Sequence, residues 1–67
     1  MAVARIVEVK SGSPESLEAA IQAGVDYAGE NYGDVQSAWV KSQEAVVRDG
    51  SIVDYRVDLK ITYIAAT

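Results

Sequence analysis

The residues with the most chemical potential in this 67-residue chain are one tryptophan, one strand-borne arginine and two groups of carboxylates. Trp39 is the only tryptophan, and its large apolar ring carries a single polar atom. Three settings suit it: burial between copies of the chain, one wall of a pocket for a flat aromatic ligand, or the core if its strand is turned over. Arg56 sits in Asp54-Tyr55-Arg56-Val57-Asp58. Its planar guanidinium can clamp an anionic or planar ligand, or pair with Asp54, Asp58 or Glu44 across strands. Asp26, Glu30 and Asp34 recur at four-residue spacing, and Asp54 and Asp58 alternate along a strand. Hard cations take such oxygen ligands, but a calcium loop needs closely spaced acids around a glycine turn, which this chain lacks. A solvated helix face accounts for the first group, and a symmetry axis could still gather single carboxylates from several copies into an ion site.

Other chemistries lack their residues. Without histidine or cysteine there is no imidazole base, thiol nucleophile, zinc ligand set or disulfide. No nucleophile elbow, phosphate-binding loop or dinucleotide fingerprint is present, so a non-enzymatic protein is expected. Net charge is −4 with both signs interspersed, which leaves no basic patch for nucleic acid or anionic membranes. MAVARIVEVK is too charged for a signal peptide or a membrane span, and with the absence of cysteine it fits a cytoplasmic location.

The element that must position these residues is SIVDYRVDLKITY, residues 51–63. Val53, Tyr55, Val57, Leu59, Ile61 and Tyr63 alternate with Asp54, Arg56, Asp58, Lys60 and Thr62. Such alternation predicts a strand buried on one side. A first strand is predicted over residues 3–10, with Val3, Val7 and Val9 on one face. Ser11-Gly12-Ser13-Pro14 then reads as a turn, with Ser13 as helix cap, Pro14 in the first helical position, and Glu15 and Glu18 near the positive end of the helix dipole. The helix runs to about Tyr32, with Leu17, Ala20, Ile21, Gly24, Val25 and Ala28 as its apolar stripe and Gly33 as its stop. Gly24 costs up to about 1 kcal/mol in a helix interior, which close approach to a sheet would explain.

A second strand spans residues 35–48. Val35, Ser37, Trp39, Lys41 and Gln43 share one parity, and Ala38, Val40 and Val46 share the other. Asp49-Gly50 joins it to the third strand as a tight hairpin. The expectation is one α+β domain over residues 1–67: β-α-β-β, a three-stranded antiparallel sheet with the third strand central and one helix on one face. The opposite face would then display Ser37, Trp39, Lys41, Gln43, Arg56, Asp58 and Lys60. A core this small supplies little net stability, and with disulfides and zinc excluded, self-association is the remaining support.

Two segments, SGSPESLEAAIQAG after a short first strand and GSIVDYRVDLKITY at the end, resemble the dodecins. The resemblance spans nearly the whole chain. It implies a strand–helix–strand–strand subunit of a small hollow homododecamer that binds or stores a small molecule, by family a flavin such as riboflavin or FMN. In flavin-binding dodecins a tryptophan early in the second strand stacks on the isoalloxazine, and a glutamine in the third strand hydrogen-bonds it. Counting back from Gly50 puts the tryptophan position at Ser37, and the glutamine position, in Tyr55-Arg56-Val57, is Arg56. Trp39 lies two residues beyond Ser37, on the same face. Ser37, Trp39 and Arg56 are therefore the expected pocket residues. Some dodecin-like proteins lack the flavin pair and are linked to calcium; the Tyr-Arg-hydrophobic pattern here is closer to those, and makes an ion-binding or structural shell the alternative.

Overall fold

The computed structural model describes residues 3–65. In chain order the elements are β1 (Val3–Ser13), α1 (Leu17–Asn31), β2 (Gly33–Arg48) and β3 (Ser51–Ala65). The strand order is β1-β3-β2, with β3 antiparallel to both neighbours. The expected α+β topology is therefore the observed one. No helix among the described residues is long and apolar enough to cross a membrane.

The alternation of β3 sets the core. Val57, Leu59, Ile61 and Tyr63 are buried, Leu59 and Ile61 completely. Ala20 and Ala28 of α1 and Val9 of β1 pack with the first three of them. Gly24 faces the same layer: a Cβ there would lie 2.6 Å from Leu59 Cδ1 and 2.8 Å from Ser11 Oγ. Ser11 Oγ itself donates to the carbonyl of Ala20 at 2.6 Å. The small residues thus let the helix backbone settle onto the sheet. At the far end the Tyr32 N–H closes the helix on the carbonyl of Ala28 at 2.9 Å, and a Cβ on Gly33 would strike the carbonyl oxygen of Ile64.

The helix start differs from the expectation. Ser16, not Ser13, is the cap: its backbone is extended and its Oγ accepts the Ala19 N–H at 3.0 Å. Pairing between β1 and β3 continues to Ser13 opposite Tyr55, and a residue before proline favours that extended backbone. Pro14 and Glu15 therefore precede the helix, and Glu18 is the acidic residue of its first turn. Ser13 instead organises the turn, accepting the Glu15 N–H at 3.1 Å.

Asp49 and Gly50 form the two-residue hairpin with φ of 50° and 78°, the left-handed pair that matches strand twist. Strand β2 carries an extra residue between Val35 and Ser37 and another between Val40 and Ser42, and β3 carries one, Val53, opposite the step from Val46 to Val47. Each extra residue shifts the alternation. Val35 consequently lies opposite Tyr63 and Gln43 opposite Val57, both on the helix side, while Val46 lies opposite Asp54 on the open side. These three are corrections to the simple parity. The molecule is elongated, 52 × 18 × 13 Å, and the hairpin arm reaches past the helix with Val47, Ile52 and Val53 exposed.

Candidate functional site

The face of the sheet away from α1 is a ladder of cross-strand rungs centred on β3. Reading β1, β3, β2, the rungs are Ile6–Thr62–Ser37, Glu8–Lys60–Trp39, Lys10–Asp58–Ser42 and Gly12–Arg56–Glu44. Opposed residues of an antiparallel pair point to the same side, so these side chains share one surface.

Trp39 is 61% exposed in the middle of it. Lys60 Nζ lies 5.8 Å from the centre of its ring, within cation–π range. The ring is thus presented outward with a cation beside it. Ser37 occupies the adjoining rung, so the structure places two of the three expected pocket residues together. Arg56 stands apart. It shares the face but lies four residues along β3 from Lys60, about 13 Å at strand spacing. Its Nε donates to Asp54 Oδ2 at 3.2 Å, a pairing with an expected partner but along β3 rather than across strands. A broad depression of about 780 Å³ opens there, lined by Lys10, Ser42, Glu44, Asp54, Arg56 and Asp58 among others, and neither Trp39 nor Ser37 belongs to it. Among the described residues the depression beside Arg56 and the ring of Trp39 are thus separate features of the face.

Between these two regions stands a charged cluster that the sequence reading left unconnected. Lys41, carried by the second irregularity of β2, reaches across to Glu8, with Nζ 3.4 Å from Oε2. Glu8 also meets Asp58. A hydrogen bond with Asp58 leads the effects that hold the Glu8 carboxyl below its ordinary value, helped by the nearby Lys41. Asp58 is pushed up, first by desolvation and then by the hydrogen bond to Glu8 and its charge. Asp58 Oδ1 has no hydrogen-bonding partner among the described residues and is shielded from solvent. Of the two neighbouring carboxyls, Asp58 is thus the one held toward its protonated form and Glu8 the one held toward its charged form. The polar parity of β3 marked Asp58 and Lys60; only the β1–β3 register reveals Glu8.

The other carboxylates are engaged locally. Asp26 accepts from Gln22 Nε2 at 2.8 Å and Asp34 from Gln36 Nε2 at 3.0 Å, both on the exposed surface. Among the described residues no group of three or more acidic, histidine or cysteine side chains converges as a metal site.

The dodecin family profile matches residues 3–65, and the chain belongs to the dodecin family. Among solved structures it is similar to a single-site variant of the Thermus thermophilus dodecin, at 27% identity and TM-score 0.87, with 100% of both chains covered. Dodecins from Streptomyces davaonensis (21% identity, TM-score 0.88, 98% of this chain and 97% of that one) and Streptomyces coelicolor (21%, 0.87, 98% and 94%) share its fold. No curated protein sequence matches the chain.

Proposed function

We propose that this dodecin-family chain assembles with copies of itself into a closed shell, a homododecamer, and that the shell binds or stores a flat aromatic small molecule, a flavin, on the open sheet face. The observation that carries the ligand reading is Trp39. A lone tryptophan 61% exposed on a sheet, with Lys60 against its ring, is a surface prepared for a second aromatic plane. Ser37 on the next rung leaves space beside it and offers a hydroxyl. Arg56 would join this pocket from a neighbouring copy, since in its own chain it lies too far along β3 to touch the same ring.

Assembly is supported by exposed apolar side chains that one chain does not cover. They include Ile6 on the open face and Val47, Ile52 and Val53 on the hairpin arm. A chain of this size gains stability by burying them against copies.

Sedimentation velocity of the full chain with riboflavin or FMN, read at the protein and flavin absorbance bands, tests both parts. Flavin moving with a discrete oligomer supports the proposal. A colourless oligomer removes the ligand and leaves the shell, whereas a stable folded monomer at low micromolar concentration removes the shell.

A further inference from the structure

Lys60 lacks the ion pair that its position offers. On the open face it stands between Glu8 of β1 and Trp39 of β2, so a carboxylate and an indole compete for one ammonium. The indole has it. Nζ lies 5.8 Å from the ring centre, and among the described residues Lys60 makes no salt bridge. Glu8 is already engaged by two other groups. Lys41, the extra residue that β2 carries between Val40 and Ser42, approaches its Oε2 at 3.4 Å, and Asp58 hydrogen-bonds to the same carboxyl. Two ionised carboxylates have acceptors alone, so only a protonated Asp58 can donate that bond. Its Oδ1 is shielded from solvent without a partner, where a full charge would go uncompensated. The freedom of Lys60 to serve the ring therefore depends on a proton held two residues away on the same strand.

We infer that the proton on Asp58 decides which partner Lys60 takes, and thereby gates the affinity of the Trp39 ring for a flat ligand. The gating rests on the ligand reading proposed above, whereas the movement of the lysine does not. The charged groups around Asp58 set the response. Glu8 and Lys10 face it from β1 and Lys41 from β2, Arg56 and Lys60 flank it along β3, and the helix packs on the other side of the sheet. With Asp58 protonated, Glu8 and Lys41 balance each other and Lys60 stays beside the indole. As pH rises through the raised Asp58 value, the hydrogen bond is lost and a second negative charge appears beside Glu8. Lys10, directly opposite Asp58, answers the new carboxylate. Glu8, short of one partner and repelled by its neighbour, draws Lys60 across from the ring. A stacked ligand then loses a cation able to donate to its carbonyl oxygens or to pair with an anionic group. Linkage runs the other way as well: a ligand that uses Lys60 holds the proton on Asp58.

The emission of Trp39, the only tryptophan, reports the lysine in the full chain. It is followed from the ordinary aspartate range to neutral pH, first without ligand and then with riboflavin, whose ring stays uncharged throughout. A nearby ammonium shifts indole emission, so departure of Lys60 should appear as one step with its midpoint above the ordinary aspartate range. Asp58→Asn keeps the shape and a donor toward Glu8, and should hold the acid spectrum at every pH. Lys60→Met, a change at an exposed position, should show no step. Across the step the wild-type riboflavin Kd, read from flavin fluorescence, should rise about two- to fivefold, the worth of an exposed cation–π contact. Asp58→Asn should keep the lower value throughout. A wild type without a step, or a step that survives in either variant, overturns the switch. Riboflavin bound equally on both sides of the step overturns the gating and leaves the ligand reading standing. Riboflavin bound at neither end of the range overturns both.

Discussion

Trp39 and Lys60 stand directly opposite each other on adjacent strands, the lysine Nζ 5.8 Å from the centre of the indole ring. Because β3 is the central strand, Lys60 also lies opposite Glu8, so one rung carries an aromatic plane, a cation and an anion across the whole sheet. The open face is therefore organised on both sides of the ring.

Removing the indole should remove most of the ligand affinity. By analogy with a base stacked on an aromatic side chain, Trp39→Ala should cost about 1–3 kcal/mol, a roughly ten- to hundredfold rise in the riboflavin Kd. Flavin fluorescence reports this without the tryptophan signal. Trp39 is exposed, so the melting temperature of the variant should stay near wild type.

The carboxyl pair makes stability depend on pH in a defined direction. Asp58 has its folded value raised, so its contribution is fully present below its unfolded value and is lost as pH rises through the raised one. Glu8 has its value lowered, and its contribution is lost as pH falls through that lowered value. Asp58→Asn keeps a donor toward Glu8 and has no proton to lose. Its melting temperature should exceed wild type at neutral pH and converge with it in acid, below the ordinary aspartate range. A variant less stable than wild type at pH 7 would contradict the proton assignment.

Two helix glycines should respond with opposite sign. Gly24→Ala places a Cβ 2.6 Å from Leu59 Cδ1, and the overpacking should outweigh the gain in helix propensity, for a net loss on the order of 1 kcal/mol. Gly29 has open space around the same position, so Gly29→Ala should gain up to about 1 kcal/mol. Urea denaturation of the two variants side by side checks the sign.

The two serines before the helix separate just as clearly. Ser16→Ala deletes the bond to the Ala19 N–H and should cost about 1 kcal/mol, while Ser16→Asp, another good cap, should recover most of it. Stability that is unchanged on Ser16→Ala, but drops on Ser13→Ala, would return the cap to Ser13.

Much of this architecture is legible in the residues because local and global signals agree. The unbroken alternation of Val57, Leu59, Ile61 and Tyr63, the small-residue stripe of Ala20, Gly24 and Ala28, and the Asp49-Gly50 turn all point to one fold, and the structure has it. The differences have physical reasons. Alternation does not count inserted residues, so the irregularities of β2 and β3 moved Val35, Gln43 and Val46 to unexpected faces. Ser13 and Ser16 are chemically equivalent caps, and only the length of the β1–β3 pairing decides between them. Trp39 and Ser37 were placed on one face correctly, whereas the distance to Arg56 and the approach of Glu8 to Asp58 depend on strand register.

The proposed function has the exposed indole of Trp39 stack on a flat ligand. Its most direct test is a titration of the purified oligomer with riboflavin and FMN, following the emission of Trp39, the only tryptophan in the chain, together with that of the flavin. Saturable quenching of both, with one shared midpoint, is the expected result. Flavin added to saturation with Trp39 emission unchanged would contradict it.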